Sequence, residues 1–119
     1  MNSFLHEMQK LRFWRSVAAE LLATMFYVFC GCGATLKRRD SPVSPSVEQV
    51  SLAFGLAMAT MVQCVGLISG GHVNPAVTAA LAVTGRISGI RALFYTGAQV
   101  SGGKWRPVCA IFLAPEMEL

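Results

Sequence analysis

Apolar positions dominate this chain and are interrupted at a few sharply defined places. From Val17 to Leu36 the only charged residue is Glu20, and from Val50 to Ile68 there is none. Each run would be about 30 Å long as an α-helix, which matches the hydrocarbon thickness of a bilayer. The pattern therefore predicts two membrane-spanning helices, at about 17–36 and 48–68, joined by a polar loop that contains prolines.

A polar segment, SGGHVNP, follows the second span, and the apolar pattern then resumes over residues 75–83 alone. As a helix this stretch would be about 13 Å long, half of a bilayer. Irregular backbone next to a half-length helix is tolerated at membrane depth only where it is packed in protein or lines a wet cavity. The sequence therefore predicts a re-entrant half-helix, 75–83, at such a cavity.

A third apolar stretch, 90–103, is short for a span, because Lys104, Arg106 and Pro107 follow it directly. Arg91, near its start, is expected to be an interfacial anchor. We therefore divide the chain into an N-terminal cytoplasmic or interfacial segment, 1–16, a membrane-embedded repeat, 17–103, and a tail, 104–119.

Composition supports a polytopic membrane protein. Of 119 residues, 54% are hydrophobic and 13% charged, which is too few charges for the surface of a soluble domain. The net charge of +4 suits anionic headgroups, whereas no basic stripe alternates with aromatic residues as nucleic-acid binding requires. Cations are divided evenly between the two ends of the predicted spans, so charge does not set the orientation. No acid–base pair or nucleophile constellation is evident, and an enzyme is not expected.

The cysteines do not indicate a metal site. There are four, Cys30, Cys32, Cys64 and Cys109, with no C-x-x-C motif and no Cys/His pair at zinc spacing. We expect buried, inert thiols, and neither a metal nor a cofactor.

The polar segment has the features of a helix start. Asn74 is a good N-cap residue, and Pro75 occupies the first helical position, where its missing N–H costs nothing. Gly70 and Gly71 permit an extended path with carbonyls facing a lumen. Such acceptors, followed by the Asn74 amide, would form a polar track for a small neutral solute, and the positive helix end would repel protons and cations.

Three segments, AELLATMFYVFCGCG, AFGLAMATMVQCVG and SGGHVNPAV, resemble the aquaporin (major intrinsic protein) family, and the N-terminal FWRSVAAELLATMFYVF resembles its water-selective branch. The likeness covers about residues 10–103. It implies an all-α membrane protein, the first half of an aquaporin-like fold, with two full transmembrane helices, one re-entrant half-helix and a truncated third helix. In that family two inverted repeats each contribute a half-helix, and four subunits assemble, each with its own pore.

The resemblance also assigns residues to the pore. Asn74, Pro75 and Ala76 match the Asn-Pro-Ala motif. The water-facing carbonyl track falls on Gly70, Gly71, His72 and Val73.

Two further residues receive roles from the resemblance. Phe54 matches the aromatic residue of the outer constriction, although an ordinary Phe in a span contacts lipid or another helix. Glu20 matches a buried carboxylate that supports the re-entrant loop, although so near Ser16 it could also extend to the interface.

The chain departs from the family pattern in two ways. It has one Asn-Pro-Ala motif where the family has two, and its tail, KWRPVCAIFLAPEMEL, shows no likeness to the family. We therefore expect a water-channel polypeptide, truncated and unable to conduct alone. The alternatives are a non-conducting protein that associates with full-length subunits, and half of an obligate dimer.

The family also sets expectations for partners and location. These are the lipid bilayer, water as the solute, and a homo-tetramer or full-length subunits. Intact members belong in the plasma membrane, whereas this chain alone is expected to be retained in the endoplasmic reticulum.

Overall fold

The computed structural model describes residues 2–38, 42–105, 108 and 117–118. Its elements, in chain order, are α1 (Asn2–Met8), α2 (Leu11–Gly33), β1 (Lys37–Arg38), α3 (Val47–Ser69), α4 (Pro75–Val83), α5 (Gly89–Gly103) and β2 (Met117–Glu118). The two short strands pair antiparallel, with Lys37 opposite Glu118 and Arg38 opposite Met117. Apart from this pair the described fold is helical.

Two of the helices, α2 and α3, are long and apolar enough to cross a membrane. The start of α3 is fixed by Ser46, whose hydroxyl accepts a hydrogen bond from the N–H of Gln49 at 3.2 Å. Its end is fixed by Gly70, which adopts the left-handed conformation (φ 96°) and donates its N–H to the carbonyl of Gly66. These are the two full transmembrane helices that the sequence predicts.

Helices α2 and α5 pack side by side and run in the same direction. The rings of Phe13 and Phe94 meet edge to face at 5.4 Å, near the start of both helices. Further along, Gly102 lies so close to α2 that an added Cβ would be 2.7 Å from the carbonyl oxygen of Leu21. A residue without a side chain is therefore needed at this crossing.

Helix bounds differ from the predicted ones chiefly at the first span, which begins at Leu11 rather than Val17 and ends at Gly33 rather than Leu36. The early start has a packing reason, because Phe13, Ser16 and Glu20 lie on one helix face and all are buried. The half-helix has the predicted bounds, and α5 begins one residue early, at Gly89.

Most of α3 is uncovered, since Ser69 is its one buried residue. The expectation that the thiols are buried is wrong for the three cysteines that the structure describes. Cys30 and Cys64 are exposed and Cys32 is half-buried, because these positions face away from the helices that α2 and α3 contact in this chain. Cys109 and most of the predicted tail, namely 106–107, 109–116 and 119, lie outside the described residues.

Candidate functional site

The half-helix α4 begins at a complete N-terminal cap. Asn74 has extended backbone (φ −155°, ψ 127°), and its Oδ1 accepts a hydrogen bond from the N–H of Ala76 at 2.8 Å. Pro75 occupies the first turn, where its missing N–H leaves no acceptor unsatisfied. Because the side-chain oxygen is used by the cap, the Asn74 amide nitrogen, which has no hydrogen-bond partner among the described residues, is left as a donor.

The loop that leads from α3 into this cap has unusual backbone. Gly70, Gly71 and Val73 all have positive φ, at 96°, 65° and 50°. Positive φ is ordinary for glycine but strained for a β-branched residue such as Val73. Gly71 is also pressed against α3, where an added Cβ would lie 2.9 Å from the carbonyl oxygen of Val62. The loop therefore keeps this path only if other groups hold it.

The carboxylate of Glu20 is the group that holds the loop. Glu20 is fully buried, at 0% exposure. Its Oε1 accepts hydrogen bonds from the Ser69 hydroxyl at 2.6 Å and from the His72 N–H at 2.9 Å. Its Oε2 accepts from the N–H of the strained Val73 at 2.7 Å and from Gln99 Nε2 at 2.8 Å. All four donors are neutral, so the carboxylate is stabilised by oriented dipoles and not by a cation.

A second layer of polar side chains fixes those donors. Gln99 Nε2 also donates to Thr78 Oγ1 at 3.0 Å, and His72 Nδ1 lies 3.0 Å from the same hydroxyl. The Tyr95 hydroxyl donates to the carbonyl of Ser69 at 2.8 Å, and its ring contacts that of His72 at 5.1 Å. The cluster joins α2, the loop, α4 and α5 in one network, as a buried polar group requires.

The sequence model of the family described as "Major intrinsic protein" matches residues 7–114 of the chain. This chain belongs to the major intrinsic protein family.

Curated relatives agree with that assignment. Lens fiber major intrinsic protein of Oryctolagus cuniculus and that of Mus musculus are each 53% identical to the chain over 96 residues. The Homo sapiens protein is 51% identical over the same length. The alignments cover 81% of this chain and 36% of each relative. The chain thus spans about a third of the length of these proteins.

Two of the residues that the sequence singled out belong to the network that adjoins the half-helix. Glu20 and His72 both lie in the buried network, and His72 is 6% exposed. His72 contacts a threonine hydroxyl and a tyrosine ring, and no group of three metal-binding side chains occurs in the described part of the chain.

Phe54 lies elsewhere in this family member. It packs against α2, with its ring 5.5 Å from that of Tyr27 and in close contact with Gly31. Along α3 it precedes Ser69 by about 22 Å. The structure therefore does not bring Phe54 into the Glu20 network, and its assignment to a constriction is independent of that network.

Sequence reasoning missed four members of the network: Ser69, Thr78, Tyr95 and Gln99. One signal was available. A buried carboxylate in a span needs hydrogen-bond donors, and polar side chains within spans usually form hydrogen bonds. Tyr95 and Gln99 are four residues apart and therefore on one face of α5. That spacing could have marked α5 as the helix facing Glu20.

Arg91, expected to be an interfacial anchor, forms an ion pair within the protein. Its Nε donates to Glu7 Oε1 at 3.0 Å, and the two side chains are 28% and 23% exposed. The Ser88 hydroxyl, which caps α5, donates to Glu7 Oε2 at 2.7 Å. Burial raises the pKa of Glu7, but the hydrogen bonds from Ser88 and Arg91 and the nearby cations outweigh it, so this pKa lies below its ordinary value.

Proposed function

We propose that these residues form one half of the wall of a water-conducting pore, and that water passes along the loop before α4. One observation carries the proposal: a half-helix begins at Asn74, and its approach loop is held in strained backbone by buried Glu20. Membership of the major intrinsic protein family, whose matched relatives include lens fiber proteins, makes membrane transport the function to test.

The hydrogen-bonding state of the loop supports the assignment of its residues. Among the described residues no donor contacts the carbonyl oxygens of residues 70–73. The Asn74 amide nitrogen likewise has no described partner. A row of acceptors that ends at a donor suits a chain of water molecules, and the positive end of α4 disfavours cations there.

Phe54 and Glu20 have different parts in this proposal. We assign Phe54 to the constriction, which would lie near the start of α3. There its ring, packed on Gly31, would limit the width of the water path. We assign Glu20 to support of the loop, since it is fully buried and all its hydrogen bonds go to protein donors.

We further propose that a polypeptide limited to these residues does not conduct alone. Pro75, Ala76 and Val77, the first turn of α4, are exposed, and so is most of α3. Half of the pore wall is thus open, and in a bilayer lipid would fill it. In stopped-flow swelling assays, liposomes that hold the purified chain should match protein-free liposomes. A substantial protein-dependent increase would contradict this and favour a pore rebuilt by two copies.

The role of Asn74 can be tested in a chimera that adds the second repeat of a lens fiber relative. Asn74→Asp keeps a capping oxygen but removes the amide donor and places charge at mid-membrane. We expect water flux to fall at least tenfold at equal surface expression. Gln49→Glu, which adds the same charge at the exposed start of α3, is the matched control and should leave flux unchanged. Equal flux for both variants would remove Asn74 from the pore.

The second candidate function is association with full-length subunits, favoured by the same uncovered faces of α3 and α4. In that case the chain by itself would be retained in the endoplasmic reticulum and reach the plasma membrane only with a full-length relative. Surface biotinylation with and without that relative separates the two functions. Delivery of the chain alone would argue against both retention and dependence on a partner.

A further inference from the structure

A polar cavity lies where α2 and α5 both begin. Its volume is about 400 Å³, and it is lined by His6, Glu7, Lys10, Arg12, Phe13 and Arg91. Arg91 is held in place by Glu7 and lies over the ring of Phe13, 5.7 Å from its centre. We refer to this site as the basic cavity.

The charge in the basic cavity is unbalanced. Its one carboxylate, Glu7, already accepts hydrogen bonds from Ser88 and Arg91 at both oxygens. Lys10 and Arg12 are exposed, and neither forms an ion pair or side-chain hydrogen bond with a described residue. The cavity thus holds three cations, Lys10, Arg12 and Arg91, against the one carboxylate of Glu7. This excess of positive charge is expected of a site for a phosphate or carboxylate.

The surroundings point to a lipid rather than a soluble anion. Arg12 also lines a neighbouring cavity of about 170 Å³, together with Arg15, Leu67 and Ile68. Leu67 is fully exposed, at 100%, so a strongly apolar surface adjoins the cations. Trp14, 46% exposed, lies on the same turn of α2, as is typical of tryptophan at the level of headgroups. A ligand with an anionic head and an apolar chain fits both cavities at once.

We propose that the basic cavity binds the phosphate of an anionic phospholipid, with Lys10 and Arg12 as its principal ligands and Leu67 and Ile68 against its acyl chain. The lipid would dock α1 against the membrane surface. The test of this site does not require conduction.

The test measures lipid selectivity through Trp14. The chain has two tryptophans, so Trp105→Phe leaves Trp14 as the single reporter. This full-length variant is reconstituted in phosphatidylcholine bilayers that contain increasing fractions of brominated phosphatidylglycerol or, in parallel, brominated phosphatidylcholine. We expect brominated phosphatidylglycerol to quench Trp14 fluorescence at clearly lower lipid fractions than brominated phosphatidylcholine does. Equal quenching by the two lipids would overturn the proposal.

Matched variants locate the selectivity. Lys10→Gln and Arg12→Gln should each lower the preference about fivefold, the effect of one cation near an anionic surface. Both side chains are exposed, and circular dichroism checks that helix content is kept. Arg86→Gln removes the same charge from an exposed turn at the same end of the bundle but outside the cavity, and it should change little. An equal loss of the lipid preference in Arg86→Gln would show that the preference comes from general surface charge, and it would overturn the proposed site.

A final comparison separates the two sources of phosphate. Millimolar inorganic phosphate should leave quenching by phosphatidylglycerol unchanged, because a free anion lacks the acyl chain. If it abolishes the preference while Lys10 and Arg12 are intact, the cavity binds a soluble anion and the lipid proposal fails.

Discussion

Two glutamates in this chain lie in opposite environments. Glu20, in the middle of α2, has no exposed surface and accepts four hydrogen bonds from neutral donors. Glu7, on α1, is 23% exposed and is paired with a cation, Arg91, and a serine. Each binds a serine at one end of a helix, Ser69 at the end of α3 and Ser88 at the start of α5.

The difference shows how burial sets the contribution of a polar contact to the free energy of folding. Water and salt screen the partly exposed Glu7–Arg91 pair, and pairs near the surface contribute about 0–1 kcal/mol. At Glu20 no water competes, so every donor left without its acceptor carries the full desolvation penalty. Glu20 should therefore determine whether the loop folds, whereas Glu7 should adjust how firmly α1 is attached.

The largest effect is expected for Glu20→Gln. The amide keeps one acceptor oxygen and replaces the other with a donor, so in either orientation the variant places N–H groups against N–H or O–H donors. We expect a loss of about 1–3 kcal/mol for each donor that loses its acceptor. Hydrogen exchange at the backbone amides of His72 and Val73 measures the effect directly, and their protection should fall sharply.

Glu48→Gln is the control for Glu20→Gln, since Glu48 is exposed in the first turn of α3. It should leave protection of the loop unchanged. Full protection of His72 and Val73 in the Glu20 variant would show that the strained loop is held by packing and not by the carboxylate.

A smaller effect is expected for Gly102→Ala, which tests whether the Glu20–Gln99 contact depends on the close approach of α2 and α5. The added Cβ would lie 2.7 Å from the backbone oxygen of Leu21, so the helices must separate, at about 1–3 kcal/mol. Gly103→Ala adds the same methyl group to the next position, where nothing lies within 4 Å. Thermal unfolding in detergent should distinguish the two variants, and equal melting temperatures would contradict the close packing.

The smallest effect concerns pH and Glu7. Because the pKa of Glu7 is lowered in the folded chain, ionised Glu7 stabilises the fold. This contribution is complete above the ordinary pKa of glutamate and is lost as the pH falls through the lowered pKa. Acidification should therefore weaken the contact between α1 and α5, and the free energy of this contact should fall by at most about 1 kcal/mol. Fluorescence of Trp14 in the Trp105→Phe background reports the change, and Glu7→Gln should abolish its pH dependence. An unaltered transition in that variant would assign it to another group.

The elements whose cause is local could be predicted from the sequence. The half-helix has the predicted bounds because Asn74 and Pro75 define its start within two residues. The spans followed from apolar runs of about 20 residues, the length that a helix needs to cross the hydrocarbon core of a bilayer. Membership of the major intrinsic protein family also rested on short local motifs.

Tertiary structure decided what depends on residues far apart in the chain. The donors to Glu20 lie 49 to 79 positions away, so a local pattern could mark a polar helix face but could not pair Ser69 or Gln99 with Glu20. The positive φ of Val73 is contrary to its own preference and exists because a distant carboxylate accepts its N–H. The early start of α2 has the same origin, since Phe13 gains its burial only when α5 packs beside it.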